Sequence, residues 1–145
     1  MRIALAQINT TVGDLEGNTN LIVRTAREAA RRGAEVAVFP ELAITGYPPR
    51  DLVEKASFLD RTEEQLGRLA QETSELDLAL ICGYVGRSQA ATGKRATNSA
   101  AVIERGRIIF TQTKVLLPTY DVFDEARYFL PGDREELLVL RGRRL

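Results

Sequence analysis

An α/β fold built on a mixed sheet follows from three features of the 145-residue sequence. Short, nearly all-apolar runs of strand length recur through the first half, as expected for strands covered on both faces. Between them lie two segments with the 3.6-residue periodicity of amphipathic helices. In the second half the alternation gives way to two adjacent strand patterns joined by a tight turn, so parallel and antiparallel pairing are expected in one sheet.

The first strand is read in RIALAQIN, followed by a loop from Val12 to Gly17 that leads to Asn18 as the expected helix cap. From there Leu21, Ile22, Ala26, Ala29 and Ala30 fall on one helical face, Arg24, Arg27, Glu28 and Arg31 lie largely off it, and Gly33 stops the helix. AEVAVF is the second strand and ends in FPEL. A second helix is expected from Asp60 to Glu75, and LDLALICGYVG is a third, buried strand. Gly93 to Asn98 reads as a turn region. NSAAVIERGRIIFTQTK then supplies two strands that reverse at Arg105 and Gly106. ELLVLRGRRL repeats that logic at Arg141 and Gly142, but its second strand is only begun. The strand at Leu137 to Leu140 is therefore expected to seek a partner beyond Leu145, as in a fragment of a longer domain, residues 1–145 being its N-terminal part.

Composition narrows the chemistry. With 44% apolar and 28% charged residues the chain is that of one globular domain, and twenty basic residues balance twenty acidic ones. A net charge of zero removes the bulk attraction to nucleic acid or an anionic membrane, so a small-molecule partner is expected. The amino terminus is too short and too polar for a signal peptide or span, and a cytoplasmic location is expected. One cysteine, Cys82, and no histidine leave no Ser-His-Asp triad, Cys-His dyad or imidazole metal site. Catalysis must then rest on carboxylates, lysine, tyrosine or a thiol.

Two residues stand at ends of expected strands, where α/β sheets gather their sites. Glu41 follows Pro40, whose missing N–H ends the ladder; it reads either as a solvated loop charge or as a group aimed at a reacting partner. Lys114 ends the RIIFTQT strand and has the same two readings. A glutamate and a lysine without histidine suit a thiol nucleophile: the carboxylate takes its proton and the ammonium steadies the oxyanion. Cys82, inside the apolar LALICGY, reads as a buried core residue and not as that thiol.

Three segments, RIALAQINTTVGDLEGN, FPELAITGYPPRDL and KVLLPTYDVFDEARYF, resemble the amino-terminal glutaminase domain of glutamine-dependent NAD synthetases, within the nitrilase (carbon-nitrogen hydrolase) superfamily. The resemblance spans nearly the whole chain and implies a nitrilase-like α-β-β-α sandwich, of which this chain would be the first half or so. It also implies that Glu41 is the general base and Lys114 the catalytic lysine of a Glu, Lys, Cys triad. Tyr120 would line the glutamine pocket and Glu125 would be the acid that orients the lysine; from the residues alone Tyr120 reads as half-buried packing and Glu125 as a surface charge. Asp121 and Asp124 are left solvated. The family's nucleophile stands in a Cys-Glu-Asp setting that Cys82, followed by Gly83 and Tyr84, does not match. The implied activity is glutamine hydrolysis through a thioester, feeding ammonia to ATP-dependent conversion of deamido-NAD to NAD in a homo-oligomeric full-length enzyme. ATP and magnesium would belong to a synthetase domain that these residues do not include. Two alternatives remain: another amide or nitrile hydrolase of the superfamily, against which TYDVFDEARYF argues, and a non-catalytic truncated product serving as an assembly or binding module.

Overall fold

The computed structural model describes residues 1–90, 92–121 and 123–145. Strands β1 (Ile3–Leu5), β2 (Val36–Val38) and β3 (Ala79–Arg87) pair in parallel, and β3, β4 (Ala96–Glu104) and β5 (Arg107–Thr113) continue antiparallel. Among the described residues the sheet has five strands in chain order, mixed as the sequence predicts. Helix α1 (Leu15–Arg31) carries the chain from β1 to β2 and α2 (Ala56–Glu72) from β2 to β3. The strand order advances in one direction at each crossover, so right-handed connections put both helices on the same face. There Ile22, Ala26, Leu59, Leu66 and Leu69 close over Ala37, Leu80, Cys82, Ala101 and Ile103.

Several boundaries differ from the sequence reading, each for a local reason. β1 is shorter than RIALAQIN because the Gln7 amide turns back onto the Leu5 carbonyl. The cap of α1 is Asp14, whose Oδ1 accepts from the Gly17 amide at 3.0 Å. Asn18 is instead a buried residue of the second helical turn. Its side chain bonds the Thr11 N–H and C=O, both at 2.8 Å, and donates to the Ile44 carbonyl at 3.1 Å. Tertiary partners outweigh a cap that Asp14 already supplies. Gly33 does stop the helix, at φ +75° with its amide on the Ala30 carbonyl. α2 begins at Ala56, ahead of the expected Asp60, because Phe58 and Leu59 extend its buried face. The region read as a turn up to Asn98 enters β4 already at Ala96.

Arg105 and Gly106 both have positive φ (49° and 78°), the geometry that matches a two-residue turn to the twist of β4 and β5. Arg141 and Gly142 repeat it, at 50° and 74°. The second strand that the sequence reading took as only begun is present: β6 (Val139–Leu140) pairs with β7 (Arg143–Arg144), and Leu138 and Leu145 exchange backbone hydrogen bonds beyond them. This hairpin lies on the sheet face opposite the helices, with Leu140 buried against Val36, Ala79 and Val102. Arg141 clasps it there, donating to Asp77 Oδ1 at 2.9 Å and Glu104 Oε1 at 3.0 Å. The rest of that face is more open. Ile3 and Leu5, in register with Val36 and Val38, are 48% and 77% exposed.

Candidate active site

Glu41, Asn98 and Lys114 converge at one end of the sheet, on the face opposite the helices. The chain leaves β2 through Phe39, whose amide still bonds the Ile81 carbonyl at 2.9 Å, and Pro40 then ends the ladder. The Glu41 loop next crosses β3 at Gly83. A Cβ there would stand 2.3 Å from the Leu42 nitrogen and 2.8 Å from the Pro40 carbonyl oxygen, so only glycine admits the crossing. Leu42 takes φ +48°, an unfavourable conformation for a leucine, yet Leu42, Ala43 and Ile44 are fully buried and hold it there. Asn18 and the Gly13 amide, which bonds the Thr45 carbonyl, secure the far side of the loop. The loop that presents Glu41 is thus pinned at both ends.

Lys114 follows β5, where its amide bonds the Asn98 carbonyl at 2.8 Å. Its Nζ donates to Glu41 Oε1 at 2.8 Å and lies 3.1 and 3.0 Å from the two oxygens of Glu125. Glu125 opens α3 (Glu125–Tyr128) and is 4% exposed. That corrects its reading as a surface charge. Burial is tolerated because Lys114, the Tyr47 hydroxyl at 2.9 Å and Asn98 Nδ2 at 3.3 Å satisfy the carboxylate. Asn98 Nδ2 also donates to Glu41 Oε1 at 2.6 Å. Two carboxylates therefore share one ammonium, and the trio carries a net charge of −1.

The electrostatics follow from these contacts. Desolvation pulls the Lys114 ammonium down, but the hydrogen bonds and charges of Glu41 and Glu125 outweigh it, and the net shift is upward. Lys114 is thus a fixed cation. The Tyr47 phenol is pushed up by burial, by its bond to Glu125 and by the charges of Glu125 and Glu41, so it stays a donor. A cavity of about 250 Å³ opens beside the cluster, lined among others by Phe39, Glu41, Gly83, Asn98, Gln112 and Lys114.

Of the four residues singled out in the sequence, Glu41, Lys114 and Glu125 meet and Tyr120 does not. Tyr120 is 69% exposed, which also corrects its reading as half-buried packing. Its ring meets Phe123 edge-on at 5.7 Å, and it borders a second cavity that shares Lys114 with the site. Asp121 and Asp124 are exposed, as expected. Asn98, Tyr47 and Gly83 escaped the sequence reading. Cys82 lies on the helix-covered face, paired with Ala101, while its neighbours Ile81 and Gly83 line the cavity. It is fully buried, and burial pushes its thiol up to about 12. Among the described residues no cluster of three or more His, Cys, Asp or Glu could hold a metal, and no helix is long and apolar enough to cross a membrane.

Known proteins share this arrangement of sequence and fold. The glutamine-dependent NAD(+) synthetase of Thermotoga maritima is 43% identical over 141 residues, which are 97% of this chain and 23% of that protein. The corresponding enzyme of Synechocystis sp. is 41% identical over 97% of this chain and 25% of its own length. The chain thus spans about a quarter of the length of these curated relatives. A solved glutamine-dependent NAD+ synthetase from Acinetobacter baumannii superposes with TM-score 0.83 at 31% identity, over 98% of this chain and 26% of that one. An amidase from Nesterenkonia sp. AN1, described with acrylamide added at its active site cysteine, superposes with TM-score 0.80 at 26% identity, over 99% of this chain and 55% of that one. The carbon-nitrogen hydrolase profile matches residues 2–143, and on that match the chain belongs to the carbon-nitrogen hydrolase family.

Proposed function

We propose that this chain carries the base and the lysine of a glutamine-hydrolysing site, and that residues 1–145 are the N-terminal part of a glutaminase domain in a longer NAD synthetase. One observation carries the reading: Glu41, Lys114 and Glu125, from three separate elements, meet at a cavity on the sheet face away from the helices. The thiol of the reaction is not Cys82 and comes from outside these residues.

In this reading Glu41 takes the thiol proton and the thiolate adds to the glutamine amide carbon, placing the carbonyl electron pair on oxygen. Lys114 steadies that oxyanion. As the carbon–nitrogen bond breaks, the proton held by Glu41 passes to nitrogen, ammonia leaves and a thioester remains. Glu41 then takes a proton from water, whose oxygen attacks the thioester; the carbon–sulfur bond breaks, the proton passes from Glu41 to the departing thiolate, and glutamate leaves with the thiol restored. Glu125, buried and without a free face, orients Lys114, and Tyr120 borders the glutamine pocket. The ammonia would convert deamido-NAD to NAD at the expense of ATP. ATP and magnesium would be bound by another part of a homo-oligomeric enzyme.

The test is made in the longer protein. Glu41→Gln and Lys114→Ala should each lower glutamine-dependent NAD synthesis at least about 1,000-fold and leave synthesis from free ammonium intact. Equal loss with both nitrogen sources would make these residues structural and overturn the reading. The 145-residue chain alone should release no ammonia above background. Turnover abolished by Cys82→Ala would transfer the nucleophile's role to Cys82.

A further inference from the structure

We propose that Asn98 is a positioning residue: its side-chain amide ties down one oxygen of Glu41 and leaves the other free for proton transfer. This rests on the reading of Glu41 as the base. Glu41 Oε1 accepts from both Lys114 Nζ at 2.8 Å and Asn98 Nδ2 at 2.6 Å. Among the described residues Oε2 has no hydrogen-bond partner, and the Glu41 side chain is 45% exposed. Lys114 alone cannot enforce this choice. An ammonium is a rotating point charge that bonds either oxygen, or bridges both.

Asn98 can enforce it, because its amide is planar and its mount is stiff. It sits within β4, paired with Val85, and is 4% exposed. Its two amide hydrogens diverge in one plane, one toward Glu41 Oε1 and one toward Glu125 Oε2 at 3.3 Å, so a single group spaces both carboxylates around the shared ammonium. Being neutral, it adds no second cation to compete for Glu41. The charged or titratable groups that face it are Glu41 from the loop after β2, Lys114 after β5 and Glu125 on α3, with Tyr47 one hydrogen bond further on. A residue that served only to satisfy buried Glu125 would have no need of its shorter bond, which goes to the exposed partner.

The experiment compares Asn98→Ala and Asn98→Asp in the longer protein. Asn98→Ala should lower kcat for glutamine about 100-fold, the cost of a misplacement of about 1 Å, with KM changed less than about threefold. Asn98→Asp, equal in volume, sets a third carboxylate against the pair. It should be more impaired at pH 8 and should recover part of its loss as the pH falls, because a protonated Asp regains one donor. In a crystal structure of that variant the Glu41 carboxylate should turn away from position 98. Wild-type kcat in Asn98→Ala, an unmoved Glu41, or failure of both variants to fold would overturn the proposal. If the unaltered protein hydrolyses no glutamine, the functional reading falls instead, and the variant structure alone decides whether Asn98 sets the orientation of Glu41.

Discussion

Beneath α1 and α2, the sheet residues Ala37, Leu80, Cys82, Ala101 and Ile103 have no contact with water, whereas on the opposite face Ile3 and Leu5 are exposed and Glu41, Asn98 and Lys114 surround a cavity. The same strands build both faces, since successive side chains point to opposite sides. The two faces therefore differ in kind: one is dry beneath the helices, and the other is partly open and carries the Glu41, Asn98 and Lys114 cluster. Cys82 and Gly83, adjacent in sequence, fall on opposite sides of that division.

The division can be broken most directly by truncation. Leu80→Ala, on the helix face, should cost about 2–5 kcal/mol in urea unfolding. Leu5→Ala, on the other, should cost less than about 0.5 kcal/mol. Equal costs would mean that the outer face is packed in solution.

Lys114→Met probes a buried charge on the outer side, Glu125. A loss of about 2 kcal/mol is expected at pH 8, below the value for a fully buried pair because water reaches a third of the lysine side chain. The folded pKa of Lys114 lies above the ordinary 10.5, so its contribution is fully present below 10.5. The gap between wild type and Lys114→Met should close as the pH rises through the higher folded value. A gap unchanged at high pH would refute the charge argument.

The two polar residues near the start of α1 sharpen the comparison further. Asp14→Ala removes an exposed cap and should cost about 1 kcal/mol. Asn18→Ala strands buried backbone groups and should cost more, about 2 kcal/mol. The reverse order would restore Asn18 to the capping role that the sequence suggested.

The smallest signal is chemical. A thiol pushed up to about 12 is roughly one part in 10,000 thiolate at pH 8. A disulfide reagent should therefore label Cys82 only through unfolding, at a rate that tracks denaturant. Rapid labelling in buffer would place Cys82 within reach of the cavity.

Much of this was legible locally. Periodicity located α1 and α2, because burial on one helical stripe leaves a repeat in the sequence, and apolar runs with turn chemistry located the strands of the sheet, because burial on both faces leaves a run. Glu41 and Lys114 were visible as charges at strand ends. Glu125 and Asn98 were not legible from local pattern, since their environment is made by residues far away in the chain. Tyr47 reaches Glu125 across 78 positions and Asn98 reaches Glu41 across 57. Glu125, in an acidic and polar local context, looks like a surface charge until those partners are in place. Asn98 looks like a turn residue until β3 pairs with it. Tyr120 points to the opposite limit: the resemblance drew attention to it, and its environment among these residues is solvent and one phenylalanine ring.

The crossing of the Glu41 loop over Gly83 makes the site sensitive to a single carbon. Lys114 and Asn98 act on Glu41 through charge and hydrogen bonding, so the loss of either leaves an electrostatic trace. At position 83 one methyl group would meet main chain that is anchored by three buried residues and could give way only as a whole. It would lift the carboxylate as a rigid unit, with all polar partners still present in the sequence. Substitution there is chemically the mildest change near the cavity and geometrically among the most severe. Strand β3 thus holds side by side a cysteine shut away beneath the helices and a glycine that sets the height of the Glu41 carboxylate.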